Sequence, residues 1–200
     1  MPAPIPKNEA KRIKVLWEYD VLDTVPEEIF DDLAELAASI CEAPFAMISL
    51  VDEDRQWFKS KIGTRVRETS RDVSFCAYAI LQKELFIVPD TRKDIRFKSN
   101  PLVTTGKKIR FYAGAPLTSH DGYGLGTLCV LDKKPHRLRL DQKRALSILA
   151  RHVMSELELR RSVRQLATAR EEEKKLRTQL AGVLAENARL RRDQHKVDVT

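Results

Sequence analysis

PFAMISLVDEDRQWFKSKIG, residues Pro44–Gly63, is the stretch from which the fold follows. Phe45 to Val51 is apolar almost throughout, the pattern of a strand covered on both faces. Asp52-Glu53-Asp54-Arg55 supplies a polar turn, and Gln56 to Ile62 forms the return strand. A second pair of the same form lies at Ile109–Asp132, IRFYAGAPLTSHDGYGLGTLCVLD, with His120-Asp121-Gly122 in its turn. Roughly four dozen residues of helix and loop signals separate the two hairpins, enough to close a concave pocket over one face of a sheet.

Working outward, the spacing predicts a first helix over Asn8–Tyr19 with Ile13, Leu16 and Trp17 on one side. Thr24-Val25-Pro26-Glu27 has capping-box spacing, and the helix behind it places Phe30, Leu33, Ala37 and Ile40 on one stripe. Gly63–Arg71 is polar and reads as a loop, and Asp72–Gln82 as a short helix with Phe75, Ala79 and Ile80 at helical spacing. Leu85–Val88 is a brief strand stopped by Pro89-Asp90. Pro89–Val103 is an irregular connection of the length that binding loops and lids take, and Asn100-Pro101 begins a helical turn within it. Pro135–Leu140 leads into a last, long helix interrupted by no breaker except Gly182.

Two hundred residues fit one domain plus an appendage, and 42% hydrophobic content supports a real core. No window approaches the apolar run of about 18 residues that a membrane span needs. The start, MPAPIPKNEAKRIK, has no apolar stretch of signal-peptide length. A cytoplasmic location with no membrane association is expected. The net charge of +7 is spread along the chain rather than gathered in a basic block, so no specific nucleic-acid partner is expected. Cys41, Cys76 and Cys129 are odd in number, distant in sequence and without a CxxC pair, which argues against a zinc site or a disulfide framework. His120, His136, His152 and His195 are scattered, and Gly122-Tyr123-Gly124-Leu125-Gly126 joins two strands rather than opening a phosphate-binding helix.

LDTVPEEIFDDLAELAA, ISLVDEDRQWFKSKIG, SFCAYAI, VPDTRKDIRFKSNPLV, IRFYAGAPL and GLGTLCVLD occur in the order found in bacterial GAF domains, which the chain resembles over roughly residues 8 to 160. The resemblance implies an α+β fold: an antiparallel sheet of about five or six strands with helices on both faces, the terminal helices packed opposite the pocket. Such domains commonly precede histidine kinases or cyclic-di-nucleotide synthases. By position it places the ligand site among Ser74, Phe75, Cys76, Asp90, Arg96, Phe97, Asn100, Phe111 and Tyr112. Within that set Arg96 could clamp an anion, and Phe97 and Phe111 could form apolar walls, or all three could be ordinary structural residues. Bilin-binding relatives attach chromophore through a Cys followed by His; here Cys76 is followed by Ala77, so a bilin is not expected. A haem is not expected either, and the ligand stays unidentified.

From Leu159 a heptad series runs for more than four repeats. Leu159, Leu166, Glu173, Leu180 and Asn187 take a, while Ser162, Ala169, Leu176, Val183 and Leu190 take d. Asn187 at a, with Glu172–Arg177 and Glu186–Arg191 as g-to-e pairs, fits a parallel homodimer. Glu173, the small Ser162 and Ala169, and Gly182 make the seam marginal. The expected organisation is a disordered lead-in (1–7), a GAF-like sensory domain (8–158), a parallel dimeric coiled coil (159–192) and a disordered tail (193–200). The expected role is a non-enzymatic sensor that binds a small molecule and acts through a downstream signalling protein or an output domain outside this chain. A ligand-free dimerisation module is the alternative, and a thiol-based reductase working through Cys76 is third.

Overall fold

A computed structural model describes residues 3–197, with side chains as far as residue 185. The chain divides into two compact units between Glu158 and Leu159.

The first unit is built on a six-stranded antiparallel sheet. Its strands are β1 (Phe45–Val51), β2 (Arg55–Ile62), β3 (Glu68–Ser70), β4 (Phe86–Val88), β5 (Phe111–Thr118) and β6 (Gly124–Asp132), in the spatial order β3-β2-β1-β6-β5-β4. All seven residues of β1 are buried, as its apolar run predicts. Strand parity divides them: Ala46, Ile48 and Leu50 face one core cluster, and Phe45, Met47 and Val51 the other. β1 pairs with β6 in unbroken register, while the β1–β2 ladder shifts between Ile48 and Ser49 and leaves Lys59 as the extra residue on β2.

Helices α1 (Glu9–Glu18) and α2 (Glu28–Ile40) and the first turns of α5 (Leu140–Val197) cover the first face. Leu16, Phe30, Leu33, Ala37, Leu146, Val153 and Leu157 pack there against Ile48, Leu128 and Val130. Each buried large side chain contributes about 1.5–3 kcal/mol. The short helices α3 (Cys76–Ala79) and α4 (Pro101–Thr104) cover the other face. Asn100 caps α4 by accepting from the Leu102 N–H, as the Asn-Pro start implies.

Several local expectations change. Trp17 is 52% exposed and donates from Nε1 to Asp52 Oδ1 at 3.1 Å instead of joining Ile13 and Leu16 in the core. The capping box at Thr24–Glu27 does not form, because a buried cation claims both of its side chains. Lys59 Nζ donates to Thr24 Oγ1 at 2.9 Å, to the Val25 carbonyl at 2.8 Å and to Glu27 Oε1 at 2.5 Å. Ile40 lies at the edge of the core, and Cys41 takes the buried place. α2 ends in a Schellman arrangement, Ala43 N to Ala38 O and Glu42 N to Ser39 O, with Glu42 in the left-handed conformation. The Gly63–Arg71 stretch contains the edge strand β3, and the Asp72–Gln82 helix shrinks to a 3-10 turn (Arg71–Val73) and α3.

The second unit is the remainder of α5, one helix as far as Val197. Of the predicted heptad positions, Leu159, Leu166, Leu176, Leu180 and Val183 are 54–65% exposed in the single chain. Asn187 and Leu190 lie outside the residues whose side chains are described. Among the described residues, no helix is long and apolar enough to cross a membrane.

Candidate functional site

A cavity of about 270 Å³ opens between the sheet and the helices α3 and α4. Its floor comes from alternate residues of three neighbouring strands: Phe45 and Met47 on β1, Gln56 and Phe58 on β2, and Cys129 and Leu131 on β6. Phe75 and Cys76 at the start of α3 form one wall, and Leu102, Lys107 and Ile109 another. Thr64, Val66 and Thr69, at and before the edge strand β3, close the remaining side. The surface is almost wholly apolar.

Polar groups gather at one end of this floor. Gln56 and Ser74 are hydrogen-bonded to each other, and Ser74 Oγ also accepts from the Ala77 N–H at 3.0 Å, which fixes the entry to α3. Cys76 Sγ accepts from Thr127 Oγ1 at 3.0 Å and from Tyr112 Oη at 3.3 Å. Thr127 meets Ser49 across β1–β6 at 3.2 Å. Cys129 Sγ lies 3.8 Å from Cys76 Sγ and 3.6 Å from the Met47 carbonyl. Gly114 makes room for this network, because a Cβ there would collide with the end of the Tyr112 ring.

Burial opposes ionisation of Cys76, but donors from Cys129, Ser49, Thr127 and Tyr112 converge on its sulfur and hold its thiol below the ordinary range. Cys129 moves the opposite way, well above that range, because it donates to Cys76 and is itself buried. The pair titrates as a unit in which Cys76 gives up its proton first. Burial raises the Tyr112 phenol as well, and the neighbouring sulfurs add to the effect.

The structure brings Ser74, Phe75 and Cys76 to the cavity. Tyr112 lies one layer behind it, bonded to Cys76 and stacked on Phe75 at 5.3 Å between centroids. Phe97 is fully buried behind Phe75, 4.7 Å between ring centroids, and supports the wall without forming it. Asn100 is held by its cap and by a hydrogen bond that its Nδ2 donates to the Val73 carbonyl at 3.0 Å. Arg96 is paired with Asp94 at 2.5 Å and stands over Phe86 and Phe97, so it pins the irregular connection. Asp90 pairs with Arg110 at 2.8 Å in the same way. Phe111 lies on the opposite face, in the helix-covered core, with its ring 4.9 Å from His136.

Phe45, Met47, Gln56, Phe58, Ile109 and Leu131 line the cavity although sequence reasoning named none of them. Strand alternation carries the signal, but a strand buried on both faces does not show which parity faces the pocket. Among the described residues no group of three or more His, Cys, Asp or Glu could hold a metal ion.

A six-stranded antiparallel sheet with the terminal helices on one face and a small-molecule-sized cavity on the other defines a sensory-domain fold. The GAF domain family model matches residues 25–157, and the chain belongs to that family. It is 41% identical over 160 residues to a cyclic di-GMP phosphodiesterase, PA2567, of Pseudomonas aeruginosa, covering 80% of this chain and 27% of that protein. The chain thus spans about a quarter of the length of this curated relative. Among solved structures it is similar to the GAF domain of an Acinetobacter phosphoenolpyruvate-protein phosphotransferase, with TM-score 0.58, 14% identity, and coverage of 79% of this chain and 97% of that one. It is equally similar to the PixJ GAF domain of Thermosynechococcus elongatus in its blue-light absorbing form, with TM-score 0.58, 12% identity, and coverage of 83% and 96%. At these identities the likeness is one of fold alone.

Proposed function

We propose that this chain is a regulatory GAF module, which binds a small apolar ligand non-covalently in the cavity and acts as a homodimer through its C-terminal helix. The observation that carries the reading is the cavity itself, about 270 Å³ with apolar walls on the sheet face away from the terminal helices. The relative that shares 41% identity is named a cyclic di-GMP phosphodiesterase and is several times longer, which supports an arrangement where a GAF segment regulates an output activity carried elsewhere. The run of exposed leucines in the second unit supports the homodimer, since a solvated single helix has no use for apolar residues at successive core positions. The module works away from any membrane, in the cytoplasm.

A ligand at a hundred times its Kd stabilises the folded state by about 2.7 kcal/mol, a rise in Tm of about 5–11 °C for a domain of this size. Thermal-shift measurements across a panel of small apolar metabolites are expected to give such a rise in the wild type and none in Leu131→Trp, which fills the cavity. An unliganded melting point near that of the wild type keeps the variant informative. The same rise in both proteins, or in neither across the panel, would remove the cavity from consideration as the ligand site. Sedimentation equilibrium checks the second half of the reading: a dimer is expected for the wild type and a monomer for Leu176→Asp/Leu180→Asp.

A further inference from the structure

The cavity has an apolar interior and a cationic rim, and together they restrict what can occupy it. Phe45, Met47, Phe58, Phe75 and Leu131 supply the interior. At the mouth, Lys107 Nζ stands 4.8 Å from the centroid of the Phe45 ring; Lys133, exposed and outside the lining, has its Nζ 5.8 Å from the same centroid. Lys107 is half-buried, and burial together with the nearby Lys133 pushes its ammonium group below the usual lysine range. Among the described residues no carboxylate partners Lys107.

Three other cations of this domain are paired. Lys59 has Glu27, Arg71 has Glu9, and Arg110 has Asp90. Lys107 lacks such a partner at the entrance to an apolar hole, and the ring beside it, Phe45, also has the Lys133 ammonium near it. The cost to Lys107 falls when an anion arrives from outside, because an opposite charge favours the ionised form.

Volume sets the size. A 150 Å³ apolar cavity accepts benzene, so 270 Å³ accommodates a molecule of about eleven non-hydrogen atoms. Extending the reading of this cavity as the ligand site, on which the inference rests, we propose that the ligand is an amphipathic monocarboxylate of about that size. Its alkyl or aryl body lies in the cavity and its carboxylate sits between Lys107 and Lys133. A nucleotide fits this site poorly, because the polar edges of its base would be buried against Phe45, Met47 and Leu131 without partners.

Isothermal titration calorimetry of the full chain with octanoate, octanamide and octylammonium separates charge from shape. Octanoate is expected to bind at least about tenfold more tightly than octanamide, the least that a charge-assisted contact contributes, and octylammonium most weakly. Lys107→Gln is expected to bring octanoate down to the affinity of octanamide while leaving octanamide unchanged. If octanamide binds the wild type as well as octanoate does, the carboxylate assignment fails while the cavity stands as an apolar ligand site. A preference for octanoate that survives Lys107→Gln/Lys133→Gln places the anion elsewhere and overturns the proposal. Failure of all three probes to bind overturns it too, and counts against the cavity as a ligand site.

Discussion

Replacing Glu9 by Gln removes one negative charge from beneath two buried guanidinium groups. Glu9 Oε1 accepts from Arg12 Nη2 and from Arg71 Nη1, each at 2.6 Å, and Oε2 accepts from Arg12 Nε at 2.9 Å. Arg12 is 2% exposed and Arg71 9%, so neither guanidinium has bulk water to fall back on. Gln keeps the shape of Glu but turns one acceptor into a donor that faces other donors. Breaking a buried pair from one side costs about 3–5 kcal/mol, and the 18% exposure of Glu9 selects the lower end, about 3 kcal/mol. For a domain of this size that is a fall in Tm of about 6–12 °C. With a urea slope of about 2 kcal/mol/M, the unfolding midpoint drops by about 1.5 M.

The pH dependence has a definite sign. Burial pushes the Glu9 carboxyl up, but hydrogen bonds from Arg12 and Arg71 outweigh it and hold the group at about 2. The folded value lies below the unfolded one of about 4.3, so the unfolded chain takes up the proton first as pH falls. This contribution is complete above about pH 5 and is lost between about pH 5 and 2. After allowance for partial exposure it is of order 2 kcal/mol. Urea unfolding of wild type and Glu9→Gln at pH 7, 5, 4 and 3 should show a gap that narrows towards acid. A midpoint change below about 0.3 M at pH 7, or a gap that stays constant with pH, would refute the argument.

Gly126→Ala puts a methyl group against the backbone of Ser49 and Leu50 in the centre of the sheet, where no side chain can yield; a loss of at least about 3 kcal/mol is expected by urea unfolding, at the upper end of overpacking costs. Cys76 and Cys129 are close enough that diamide, which takes up two electrons and two protons, should join them as a disulfide; loss of two free thiols and two mass units, absent in Cys129→Ser, checks this. Lys59→Met removes the cation that holds the start of α2, at an expected cost of about 2 kcal/mol, and amide exchange should quicken over Glu28–Asp31 while β5 and β6 keep their protection.

Much of the architecture was legible because it is carried by local pattern. The unbroken apolar run Phe45–Val51 announces a strand with cover on both sides, and the two hairpin turns announce themselves through Asp52–Arg55 and Gly122. Three polar residues, Glu68–Ser70, are too few to show alternation, so the edge strand reads as loop. The Thr24–Glu27 spacing is a true helix-start signal, but Lys59 is 32 positions beyond Glu27 and nothing local reveals that it competes for the same oxygens. The cavity was located through the entry to α3, where Ser74, Phe75 and Cys76 do line it. Arg96 and Asp90 had the chemistry of ligand contacts, yet Asp94 and Arg110 satisfy them within the fold. The 53 positions between Cys76 and Cys129 hid the closest thiol pair, since only the pairing of β6 with β1 and the seating of α3 bring them together.

Within the first unit, one layer of backbone separates the cavity from the terminal helix. Met47 on β1 and Cys129 on β6 line the cavity, while their chain neighbours Ile48, Leu128 and Val130 pack in the same cluster as Leu146, Val153 and Leu157 of α5. A close-packed interior transmits displacement, because a side chain that moves has no void to move into. Beside Met47 the β1–β2 ladder shifts register, with Lys59 the extra residue on β2, while the pairing of β1 with β6 runs unbroken. The sheet of this domain is thus both the floor of the cavity and the surface on which the terminal helix begins.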